Sequence, residues 1–222
     1  MKTLTSESYN IAWFKLADFV ARGEKERALS VLRLLMHSVS DEALTYQLEG
    51  DILRAFQDGS AIDRYHTAAD LYQKLGKFQQ AISSHQHAVM FQENEKTLQA
   101  LLQIYLISQQ KSGIIISFSK LAPLLIATHG SDYLINYINS ITEKLNLELQ
   151  IILYAQLAIA LLLHDVTYEK TSEIIQKTID LFQKDLKISN QKSSHLQKFL
   201  TDVKSLSDKE YKKAEFYLKE CL

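Results

Sequence analysis

The side chains able to do chemistry are few, and their spacing does not suit them to it. The chain has seven histidines and one cysteine in 222 residues. His85 and His87 are two positions apart. On a helix that spacing puts them on different faces, so they do not share one metal ion. His66 and Asp70 are four apart, one helical turn, which reads as a surface contact. Glu49 and Asp51, in "LEGD", point two ways from the middle of a helix and read as part of a solvated face. The sequence holds no H-E-x-x-H, no glycine-rich phosphate loop and no G-x-S-x-G. With no nucleophile–base set, the expectation is a non-catalytic protein without metal or cofactor.

Charge narrows the partners. The formal net charge is −1, with acids and bases interleaved, so there is no basic footprint for a nucleic-acid backbone. All five arginines (Arg22, Arg27, Arg33, Arg54 and Arg64) fall in the first third, and every later Lys/Arg position is lysine. Cys221 is the only cysteine and lies one residue from the end, which allows no internal disulfide and does not fit a prenylation box. The opening "MKTLTSESYNIAWF" has no apolar leader core. A reducing, cytoplasmic setting is expected. The most apolar run, Ile151 to Leu163, spans roughly 20 Å as a helix against the ~30 Å of a bilayer core. It is read as a buried helix, and no transmembrane segment is expected.

The elements that would carry these residues are helices. One proline and six glycines leave little material for turn-rich β structure. Apolar residues recur at helical spacing with a polar break every 15 to 20 residues. This predicts helices near 5–21, 25–38, 41–57, 60–75, 78–92, 95–109, 113–128, 131–144, 147–164, 168–186, 194–205 and 208–221. Gly23, Gly59, Gly76 and Gly130 are placed to supply the positive φ of helix C-termini. Ser40, Ser131 and Ser207 are candidate N-caps, and "SDKE" at 207–210 reads as a capping box. Pro123 should kink or break its helix near 119–123. Short connections between helices favour antiparallel neighbours.

Between 62 and 95 the order of large and small residues follows a packing rule. Tyr65, Ala68, Ala69 and Tyr72 form one stripe, Gly76 turns the chain, Phe78 covers the turn, and Ala81, His85 and Ala88 form a second stripe. Small residues sit where two helices approach, and large ones fill the hollows beside them. A copy offset by 33 places Leu98, Leu101, Leu102 and Tyr105 on the first stripe and Ile114, Phe118 and Leu121 on the second. Trp13, Leu16, Ala17 and Val20, with Gly23 and Ala28, form a third. The phase is ambiguous. Ala61, Tyr65 and Ala68 also fit a second-helix stripe, so helix 60–75 reads as either half of a hairpin.

This pattern resembles the tetratricopeptide repeat over about residues 9–128. Ala68 stands where that family usually has leucine, His85 where it has an aromatic, and Glu93 where it has proline. The doubly readable helix also resembles, more faintly, the soluble SNAP-type adaptors of vesicle fusion. The resemblance implies an all-α fold of stacked antiparallel hairpins in a right-handed solenoid, spanning 1–128 and continuing through 129–186 into a more globular helical part. The last helices, 187–222, would dock on the body. The face of Tyr211, Ala214, Leu218 and Cys221 needs a covering surface, on this chain or by self-association. In function the resemblance implies a scaffold or adaptor that holds a peptide or helix of a protein partner in a concave groove. The alternative is a SNAP-like adaptor or a secretion chaperone. The implied groove positions are Phe14, Lys15 and Asp18; Asp63, His66, Asp70 and Gln73; and Lys96, Gln99 and Gln103. Phe14 and Asp18 stand where the family's chaperone-tail clamp has lysine and asparagine, so chaperone-tail binding is not expected.

Overall fold

The computed structural model describes residues 6–37, 41–189 and 194–220, and among them every regular element is a helix. The expected cap Ser40 and the facing residue Cys221 lie outside the described residues. Two compact units divide between Ile104 and Tyr105.

The first unit holds α1 (Ser6–Ala21), α2 (Lys25–Met36), α3 (Glu42–Ala55), α4 (Ala61–Lys74), α5 (Phe78–Phe91) and most of α6 (Glu95–Ile107). Neighbours in sequence pack as pairs: α1 on α2, α3 on α4, and α4 on α5. The helices are joined by one recurring turn. Gly23 (φ +76°) donates to the Val20 carbonyl and Glu24 to that of Phe19. Gln57 (φ +55°) donates to Arg54 and Asp58 to Leu53. Gly76 (φ +70°) donates to Gln73 and Lys77 to Tyr72. Each pair of bonds satisfies two orphan carbonyls at a helix end, in the Schellman arrangement. Gln109 (φ +55°), at the end of α6, repeats it, donating to Leu106 while Gln110 donates to Tyr105. Gly59, expected to supply positive φ, does not. Gln57 takes that conformation two residues earlier, and Asp58 then caps the next turn by accepting from Ser60 N–H and Oγ.

These turns explain the ambiguous phase. Gly23 and Gln57 are 34 positions apart, and Gly76 and Gln109 are 33 apart, but only 19 separate Gln57 from Gly76. The helix in between, α4, closes a hairpin on each side. Its two small residues are both used: Ala68 and Ala69 are fully buried, as are Tyr65, Ala61, Ala81 and Ala88. The core of the unit joins Leu16, Leu29, Leu32, Leu35, Ile52 and Leu53 to Ala61, Tyr65 and Ala88. At Gly50 the backbone of α3 approaches α4 so closely that a Cβ would lie 2.8 Å from the Tyr65 ring.

The second unit begins at Tyr105 and contains α7 (Lys111–His129), α8 (Ser131–Thr142), α9 (Leu147–His164), α10 (Thr171–Ser189), α11 (Ser194–Leu206) and α12 (Asp208–Glu220). Of the kink or break expected at Pro123, the break is not there: α7 runs through it from Lys111 to His129. Pro123 is exposed, as is Ser119, whose carbonyl loses its helical donor. Proline inside a helix still costs roughly 3 kcal/mol. Pro123→Ala should therefore raise the urea midpoint of this unit by about 1–3 kcal/mol equivalent. An unchanged midpoint would mean that solvation already compensates the lost bond.

α9 carries the most apolar run and meets α7, α8, α10 and α11. The run lies in a helix of 18 residues, about 27 Å long and so longer than the roughly 20 Å of the apolar run itself. By length and composition alone, α7 and α9 are both apolar enough to cross a membrane. The two pack against one another. α12 docks on α10 of the same chain: Tyr217 Oη donates to Asp180 at 2.8 Å, and Ser172 Oγ donates to Glu210 at 2.6 Å. Ser207 caps α12 by accepting from Glu210 N–H, but the reciprocal half of the capping box is missing. The Glu210 carboxylate is instead buried against Ser172 and Lys213.

Candidate functional site

Three of the implied positions on α4 and α6, Asp63, Asp70 and Lys96, lie around a fourth, His66. This side chain is half-buried, with Nε2 3.3 Å from Thr97 Oγ1 at the start of α6 and its ring centroid 5.2 Å from that of His85 on α5. Asn94 holds Thr97 in place by accepting from both its N–H and its hydroxyl. Asp63, Asp70 and Lys96 are exposed and near enough to act on His66 electrostatically. Burial lowers the His66 pKa. Lys96 lowers it further, and Asp70 and Asp63 oppose the shift. Gln73 is half-buried and Gln103 exposed, while Gln99 Nε2 donates to Glu95 at 3.0 Å. On α1, Phe14 is 77% exposed, Lys15 is exposed, and Asp18 pairs with Arg22 at 2.9 Å. The structure thus gathers Asp63, His66, Asp70 and Lys96 around one point. Phe14, Lys15 and Asp18 form a separate exposed face of α1.

Beside that face is a feature the spacing did not announce. Trp13, Leu16, Ala17, Val20 and Ala21 of α1 and Leu48, Asp51, Ile52 and Ala55 of α3 line an open groove of about 410 Å3, floored by Leu32. Ala17, the small residue of the third stripe, is exposed. The groove is almost wholly apolar, with Asp51 as its acidic edge.

The solvated-face reading of "LEGD" is overturned. Glu49 is buried, only 7% exposed, between Arg33 Nε of α2 at 3.5 Å and Arg64 Nε of α4 at 3.2 Å. Asp51 accepts from Tyr65 Oη at 2.7 Å and lies 3.3 Å from His87 Nδ1. Burial, and then this bond to Asp51, push the Tyr65 phenol far above its ordinary value. The two acids do point two ways: Glu49 is buried between α2 and α4, while Asp51 is half-buried against Tyr65 of α4 and His87 of α5. The arginine cluster was the available signal. All five arginines lie within 4 Å of a carboxylate in this unit: Arg22 to Asp18, Arg27 to Glu24, Arg54 to Asp51, and Arg33 and Arg64 both to Glu49.

His85, on the stripe of Ala81 and Ala88, is buried with them at 3% exposed, and among the described residues its Nδ1 has no hydrogen-bond partner. Burial, helped by nearby His66, lowers its pKa to about 4. Among the described residues no group of three or more His, Cys, Asp or Glu is arranged to hold a metal ion. No protein-family model matches the chain. No curated protein matches it either.

Proposed function

We propose that this protein is a tetratricopeptide-like interaction module that binds a segment of a partner protein along its first unit. The observation that carries this reading is the open apolar groove between α1 and α3. A long, open, apolar channel between two helices suits the apolar face of a partner helix or peptide. The recurring hairpin turns and the buried alanines at helix approaches support the repeat-like reading. Asp63, Asp70, Lys96 and Gln103 supply polar contacts on a neighbouring surface and set which partner is accepted.

The groove can be closed without disturbing the core, because Ala17 is exposed. Ala17→Arg should abolish capture of the partner from native lysate while leaving the melting temperature within a few degrees. The combined change Asp63→Ala, Asp70→Ala and Gln103→Ala should weaken capture by about tenfold. His66 is left out of that set because it packs on Thr97 and His85. Capture that survives both variants would place recognition elsewhere.

A further inference from the structure

A second site lies where α2, α3 and the start of α4 meet. The sign of its charge is its main feature. Glu49 is buried; it accepts from Arg33 Nε at 3.5 Å and is ion-paired with Arg64 Nε at 3.2 Å. A guanidinium carries five N–H donors, so each arginine keeps its four terminal ones. Among the described residues no other hydrogen bond or ion pair engages them; Arg64 additionally lies over the Tyr46 ring, 5.6 Å from its centroid. Both arginines line one cleft of about 520 Å3, together with Met36, His37, Glu42, Thr45, Tyr46 and Glu49. One carboxylate therefore holds both arginines through Nε, and both side chains line the same cavity. The arginine–glutamate–arginine core carries one surplus positive charge, and Glu42, the remaining acid of the lining, is exposed.

We propose that this cleft is a phosphate-monoester site. Two forks from two different helices offer more donors than one planar carboxylate accepts. The three terminal oxygens of a phosphate monoester match them, and its charge near −2 answers the surplus. Arg33 and Arg64 bind the oxyanion, Glu49 positions both, and Thr45 and Tyr46 lie within the lining to orient the ester side. The surface is distinct from the α1–α3 groove, and the inference does not depend on that groove binding a protein.

The test is an NMR titration of the full chain, following arginine Nε–Hε signals, with inorganic phosphate, O-phosphoserine and a phosphoserine peptide beside its unphosphorylated form. The expected result is saturable movement of the Arg33 and Arg64 signals, with Arg27 unmoved. Arg33→Gln and Arg64→Gln should each weaken binding by about tenfold or more. Arg33→Lys, which keeps the charge and loses the fork, should weaken it nearly as much. Saturation by inorganic phosphate or O-phosphoserine alone assigns a small ligand, and saturation by the phosphopeptide alone assigns a modified partner side chain. If Arg64→Gln disturbs folding, Arg33, which is largely exposed, still decides the matter. The proposal is overturned if no probe saturates at millimolar concentration, or if Arg33→Gln and Arg33→Lys bind as well as the parent chain.

Discussion

Gly113→Ala will destabilise the second unit by about 2–3 kcal/mol, although helix propensity alone would make it stabilising by about 1 kcal/mol. Gly113 is buried in the first turn of α7, and a Cβ there would enter the body of the Tyr105 ring, against Cγ, Cδ1 and Cε1. The contact falls on the root of the ring as well as its edge, so a small rotation of the tyrosine does not relieve it. Tyr105 is itself buried and cannot swing into solvent without exposing its packed face. The two effects have opposite signs and the steric one is larger. Chemical denaturation of the two chains measures the difference. Tyr105→Ala in the Gly113→Ala background should restore part of the loss, giving a coupling of at least about 1 kcal/mol in the double-mutant cycle. A Gly113→Ala chain as stable as its parent would show that α6 and α7 do not approach at this point.

The second large effect is on acid stability, through His85. An unfolded chain protonates this imidazole near pH 6.5, whereas the folded protein resists until about pH 4. Above 6.5 both states are neutral and the group does not affect the equilibrium. As pH falls from 6.5 to 4 the unfolded state gains a proton that the folded state lacks, and stability drains away. The difference amounts to about 3 kcal/mol at the acid end. His66 is the titratable group that acts on His85, and His66 is itself faced by Thr97 and Lys96 from α6 and by Asp63 and Asp70 on α4. His66 is shifted in the same direction, so it adds to the trend. His85→Phe removes the main contributor and supplies the aromatic ring the packing position accepts. Its urea midpoint should lie near that of the parent at pH 7.5 and clearly above it at pH 4.5. Parallel midpoint curves across that range would mean that His85 is protonated in the folded state.

The helices were legible because their signal is distributed. Each is set by many apolar residues at one period, and no single residue can overturn it. The turns were half legible. Gly23 and Gly76 fall where a left-handed residue is needed, but at positions 57 and 109 a glutamine carries the same conformation, and nothing in its side chain announces this. Pro123 does not break α7, because Phe118, Leu121, Leu125 and Ile126 on both sides of it are buried and hold the helix together. Glu49 was misread because a carboxylate mid-helix looks solvated until the partner cations are placed, and those come from positions 33 and 64 on two other helices. The α1–α3 groove was illegible because Trp13 and Ala17 have the residue types of a packed seam, and only the unfilled space beside them makes the seam a groove.

The central claim is that a partner protein is recognised along α1 and α3. Site-specific photo-crosslinking in the native cell tests it most directly. A photoreactive phenylalanine analogue at Ala17 or Ala55, in the groove, should yield one discrete crosslinked protein. The same analogue at exposed Glu26 or Arg27 on α2 should not. The same band from all four positions, or none from the groove positions when the chain is folded and abundant, would contradict the account.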